Sequence, residues 1–149
     1  MRKKIIFAAA ILILVFAGKV LAQDAGHLRE SGSKVCFAGS CFSVALAENR
    51  EEQLRGLMFV ESMPSDQGML FIYGEEAPRS FYMKNTRIPL DIIWIDKDKR
   101  VVFIKKNAEP AKGEAYETVL PDEKAMYVLE LNAGSADRIG LKNGDKLQF

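Results

Sequence analysis

The chain has 149 residues, with 21 Lys and Arg against 20 Asp and Glu, two cysteines and a single histidine. A near-neutral chain without a basic run lacks the footprint needed to neutralise phosphates, so nucleic acid is not an expected partner. One histidine, His27, and glycines scattered singly disfavour Ser-His-Asp or Cys-His catalysis, a zinc centre and a phosphate cradle, so no metal or cofactor is expected.

Arg2, Lys3 and Lys4 precede an apolar run of 13 residues, Ile5 to Ala17, and Val20-Leu21-Ala22 offers compact residues for cleavage. This is the order of parts in a secretory signal. A membrane-spanning helix needs roughly 20 residues, so a permanent anchor is the weaker alternative. The reading is a signal peptide over 1–22, a polar lead-in over 23–33 and one β-rich domain over 34–149. The product would be periplasmic or secreted and monomeric, touching the membrane only through the signal before cleavage. Loss of Arg2, Lys3, Lys4 and Lys19 takes the balance from 21 basic and 20 acidic to 17 and 20. The exported domain is mildly acidic.

Lys34 to Phe37 and Cys41 to Leu46 read as paired strands. If the chain folds back at Ala38-Gly39, Cys36 faces Cys41 at a distance a disulfide can span, although Ala38 resists the positive φ of a type I′ turn. Export favours a structural bridge over a redox-active pair, because the four intervening residues differ from the two of thioredoxin-like motifs. Asn49 and Glu52 form a capping-box pattern for a helix of about two turns that Gly56 ends.

Strands are predicted at Gly68 to Tyr73, Arg79 to Met83, Leu90 to Ile95, Arg100 to Lys105 and Ala125 to Leu131. The apolar run Leu90 to Ile95 suits a strand covered on both faces. Asp96 to Lys99 reads as a turn, and Ala108 to Asp122 as a long loop with one short strand around Tyr116. Ser135 is expected to cap a turn of helix, and Asn143-Gly144 to lead into a closing strand ending at Phe149. The fold class is mainly β, a β-dominated α+β sandwich or partly closed barrel of about eight strands.

The polar segment Lys84 to Asp91 lies between apolar strands, and Glu130 stands in the apolar run Val128 to Leu131, where a buried carboxylate must find a partner. Tyr82, Lys84, Asn85, Thr86, Asp91 and Glu130 are therefore candidates to bind a small polar ligand or an envelope partner. Two alternatives stand beside this. Asp91 or Glu130 could act as general acid/base with Lys84 as electrostatic stabiliser; or Asp91 and Asn85 could tie down backbone while Lys84 pairs with Asp91 or Glu130. Met58, Met63, Met69, Met83 and Met126 admit a Cu(I) site, against the simpler reading of adaptable core filler.

Six ordered blocks resemble the domain of unknown function 192 family: Gly56-Leu57-Met58, Gly68-Met69-Leu70-Phe71, Ser80 to Thr86, Ile88-Pro89-Leu90-Asp91, Tyr127 to Leu131 and Asn132-Ala133-Gly134. The resemblance spans about Lys34 to Phe149 and implies a small β-rich, sandwich-like domain. Matching hallmark residues include Gly56, Met58, Gly68, Met69, Phe81, Met83, Lys84, Asn85, Thr86, Pro89, Asp91 and Glu130. Tyr82 stands where tryptophan is common and Val60 where an arginine often follows Gly-Leu-Met, which weakens any expectation of an anionic ligand. The family has no established activity, so the resemblance marks a candidate site without a reaction.

Overall fold

The computed structural model describes residues 32–149; the leader, its cleavage point, His27 and the lead-in as far as Ser31 lie outside the described residues. These contain β1 (Ser33–Phe37), β2 (Ser40–Ala47), α1 (Arg50–Arg55), β3 (Gln67–Pro78), β4 (Phe81–Tyr82), β5 (Leu90–Ile95), β6 (Val101–Ala108), β7 (Thr118–Val119), β8 (Lys124–Asn132) and α2 (Ser135–Arg138). The expected β-dominated α+β class is observed. Six strands form one open sheet in the order β1-β2-β3-β8-β5-β6, and β4 pairs with β7 in a small separate ribbon.

At the hairpin, Ala38 (φ 48°) and Gly39 (φ 83°) both take positive φ, as a type I′ turn requires. Cys36 thus lies opposite Cys41, and the two are joined as a disulfide with their Cα atoms 4.1 Å apart. The backbone of Cys36 bonds instead to Gln148, donating at 2.9 Å and accepting at 3.0 Å.

The next connection joins two parallel strands, β2 and β3, and so needs a crossover, which α1 and its following loop supply. The predicted capping box forms: Asn49 Oδ1 accepts from the Glu52 amide at 3.0 Å, and the Glu52 carboxylate accepts from the Asn49 amide at 3.3 Å. Gly56 then ends the helix at φ 47°. The Gln53 side chain docks α1 on the sheet by donating to the Ile72 carbonyl at 2.8 Å.

Period-two alternation in β5 sends Leu90, Ile92 and Trp94 to one apolar layer and Ile93 and Ile95 to the other. All of β5 is buried, as the continuous apolar run predicts. The first layer holds Phe71, Phe81 and Trp94 in edge-to-face contacts, with ring centroids 4.8 Å and 5.6 Å apart. The second holds Val35, Phe42, Leu129 and Leu141. Three of the methionines, Met63, Met69 and Met83, are buried in the first layer.

Several predicted elements differ. The expected strand at Arg79 to Met83 shrinks to Phe81–Tyr82: the Arg79 carbonyl is diverted to the Trp94 indole N–H at 2.8 Å, and beyond Tyr82 the pairing with β7 is continued by a single bond, Met83 N–H donating to the Glu117 carbonyl at 2.9 Å. The short strand expected around Tyr116 falls later, at Thr118–Val119. Ser135 does not cap α2; Gly134 occupies that position without a side-chain bond. Past Gly144 the chain makes single bridges, Arg100 to Lys146 and Cys36 to Gln148, instead of a closing strand. It divides its hydrogen bonds between β1 and the β5–β6 turn, so no ladder develops.

Gly68 sits where β3 meets β8. A Cβ built there would lie 2.6 Å from both the Glu130 carbonyl and Leu131 Cδ2. Gly68→Ala should therefore destabilise the fold by about 1–3 kcal/mol, measured by denaturant unfolding, as overpacking against backbone does.

Candidate functional site

Strand register decides which candidates meet. Asp91 is opposite Leu131, whereas Glu130 is opposite both Ile92 and Met69. Leu131 belongs to the second apolar layer and Ile92 and Met69 to the first, so the two buried carboxyls point to opposite faces of the sheet.

Asp91 is fully buried. The β5–β6 ladder slips between Leu90 and Ile92, and in the resulting bulge Asn107 takes φ 51°. A bulge leaves ladder groups unpaired, and Asp91 Oδ1 accepts from the Asn107 amide at 2.9 Å. Its Oδ2 accepts from the Ala136 amide in the first turn of α2, also at 2.9 Å. Asp91 thus replaces the cap that Ser135 was expected to provide. It ties backbone, but that of distant segments and not of its own turn.

Lys84 is exposed and makes no ion pair among the described residues, contrary to the expected partnership with Asp91 or Glu130. Asn85 is also exposed and adopts φ 57°, a left-handed conformation that asparagine tolerates better than most residues. Its carbonyl accepts from the Phe59 amide at 2.8 Å, and its side-chain amide lies 3.8 Å from Met58 Sδ. Met58 and Thr86 form an isolated bridge. The Lys84 to Thr86 turn clamps the segment that follows α1.

Between that segment, β3 and β4 opens a cleft of about 50 Å³, with Glu130 in its lining together with Tyr82 and Thr86. Of the six candidates, these three come together; Lys84, Asn85 and Asp91 lie outside. The site also includes Gln53, Arg55, Tyr73 and Phe81, which the reading of polar residues missed. Gly56, Met58 and Phe81 were visible only as family hallmarks. Gly56 contributes by what it lacks: a Cβ there would press to 3.2 Å on Phe71 and reach 4.0 Å from Glu130 Oε2.

Glu130 is 6% exposed, and its Oε2 is buried without a hydrogen-bond partner among the described residues. Burial pushes its pKa up from 4.5 to about 8, because desolvation penalises the charged form. The Tyr73 phenol is pushed up to about 12, chiefly by burial; the Arg79 cation opposes that rise and the Glu130 charge adds to it. Arg79 stacks 3.9 Å over the Tyr73 ring centroid. At neutral pH the cleft therefore presents a protonated carboxyl and a neutral phenol among aromatic rings.

Asp91→Ala removes the acceptor of two buried backbone amides and should cost about 3–5 kcal/mol, whereas Lys84→Ala should stay within about 0.5 kcal/mol; denaturant titration distinguishes them. Glu130 adds a pH signature. Between pH 4.5 and about 8 the folded protein retains a proton that the unfolded chain releases, so stability falls as pH rises through that window. Glu130→Gln should flatten this slope while leaving stability below pH 4.5 nearly unchanged, as thermal unfolding across pH would record.

The sequence matches over residues 33–149 the family described as "Uncharacterized ACR, COG1430", domain of unknown function 192. It is 26% identical over 108 residues to the UPF0127 protein TK1120 of Thermococcus kodakarensis, covering 71% of this chain and 64% of that protein. This match therefore spans somewhat less than two thirds of its relative's length. Two crystal structures share the fold with a TM-score of 0.70 each. One is a Sinorhizobium meliloti protein described as a candidate transcription regulator, 37% identical, covering 77% of this chain and 89% of that one. The other is a Novosphingobium aromaticivorans protein of unknown function, 36% identical, covering 78% and 82%. With the family match covering every element of the described fold, and with Gly56, Met58, Phe81, Thr86 and Glu130 of the hallmark residues lining one cleft, this chain belongs to the domain of unknown function 192 family.

Proposed function

We propose that this chain is an exported binding module that holds a small polar group in the Glu130 cleft. The carrying observation is the buried, unpartnered Oε2 of Glu130 beside an opening. A buried polar atom without a partner costs about 1–3 kcal/mol, and one placed at a cleft is satisfied when a ligand arrives. Thr86 and the Tyr82 and Tyr73 rings supply further polar and aromatic surface. The leader in the sequence and the Cys36–Cys41 bridge support an extracytoplasmic setting. The acid/base alternative, Asp91 or Glu130 acting with Lys84, is disfavoured because Asp91 and Glu130 face opposite sides of the sheet and, among the described residues, neither Lys84 nor a second carboxyl joins Glu130 in the cleft lining.

A thermal-shift screen of amines, amides, sugars and amino acids against the protein and Glu130→Leu tests this reading. The expected result is a ligand-dependent rise in Tm that Glu130→Leu abolishes, while that variant without ligand gains about 1–3 kcal/mol from losing the unpaired carboxyl. A destabilised Glu130→Leu with no ligand response in either protein would show that the carboxyl is scaffold.

A further inference from the structure

Resting on the reading of the Glu130 cleft as a binding site, we infer that its occupant is a primary ammonium group on a short alkyl stem. Glu130 in the cleft lining carries a buried oxygen with no hydrogen-bond partner among the described residues, and none of their ion pairs, Arg87–Glu61, Lys105–Glu117 and Lys106–Asp137, involves it. An anion would be repelled there once Glu130 ionised. The lining includes the aromatic residues Phe71, Phe81 and Tyr82 besides Tyr73, whose ring already carries Arg79, and aromatic faces attract a cation. At the rim, Leu54 and Tyr82 are exposed, and Tyr116 packs 6.0 Å from Tyr82, an apolar surround suited to a methylene stem. A neutral acceptor would use the acid proton but leave the ring faces idle; an ammonium ion uses both carboxylate and rings.

The other charged groups are compatible with this assignment. Arg79 already stacks on Tyr73 from β3. Arg55, at the end of α1, lines the cleft but is exposed, where solvent screens its repulsion. Tyr73 stays neutral well above physiological pH. The proton balance is simple: the incoming ammonium keeps its three protons, Glu130 passes from carboxylic acid to carboxylate, and its proton leaves to buffer.

Calorimetry of the purified protein with n-butylammonium, Nα-acetyl-lysine amide and neutral n-butanol, in buffers of different ionisation enthalpy, tests this. Both amines should bind with release of about 0.9 proton at pH 7, and affinity should rise close to tenfold from pH 6 to pH 7 and level off above about pH 8. Glu130→Gln should weaken amine binding at least about tenfold and abolish proton release. Tighter binding of the lysine derivative by about tenfold or more would point to a polypeptide side chain as the source; equal affinities would point to a free amine. Glu130-dependent binding of n-butanol or another neutral polar compound, with no amine binding or no proton release, would overturn the ammonium assignment while keeping the cleft a binding site. No binding of charged or neutral compounds would overturn both readings.

Discussion

The antiparallel pairing of β5 with β8 fixes the directions of two buried carboxyls. With Asp91 opposite Leu131 and Ile92 opposite Glu130, side chains one residue apart in register go to different faces. One carboxyl is enclosed among backbone amides, and the other is left facing a cleft. A slip of one residue in this pairing would turn one acid to the other's face, and a turned β5 would leave the β6 bulge and the first turn of α2 without their acceptor. The bulge, the Asn107 conformation and the first turn of α2 all depend on Asp91 being where the ladder puts it.

The two acids show how environment, not residue type, assigns a role. Asp91 accepts two amides at 2.9 Å, so its burial is compensated and its contribution is to stability. Glu130 has no such compensation and keeps its proton to about pH 8, which makes it a liability for folding unless something binds it. Residues of the six matching blocks divide along the same line. Gly68 permits close approach of β3 to β8, while Asn132 holds the preceding connection by donating to the Met63 and Pro64 carbonyls at 2.8 and 3.1 Å. Gly56 and Phe81 shape the cleft.

Local signals in the sequence were strong where the physics is local. The Asn49–Glu52 capping box, the Cys36–Cys41 hairpin and the buried strand β5 all depend on neighbours within a few residues, and each is found. The placements that depended on distant contacts were not legible. Ser135 follows a turn as a cap should, yet Asp91, distant in sequence, satisfies the helix from across the sheet. Lys84, Asn85 and Asp91 are close in sequence, but the turn exposes the first two while β5 carries the third inside. Glu130 is recognisable as a carboxyl needing a partner; that no described residue answers its Oε2 is visible only with β3, β4 and the segment after α1 placed around it.

The Glu130 cleft is a binding site only if Glu130 is a buried, uncompensated acid in the folded protein. Carbon-13 NMR titration of the side-chain carboxyl carbons, with Glu130→Gln to assign the resonance, reads this directly. A midpoint near pH 8 is expected for Glu130; a midpoint at or below the ordinary 4.5 would mean that the carboxylate already has a partner in the protein, and would contradict its role as an uncompensated acid.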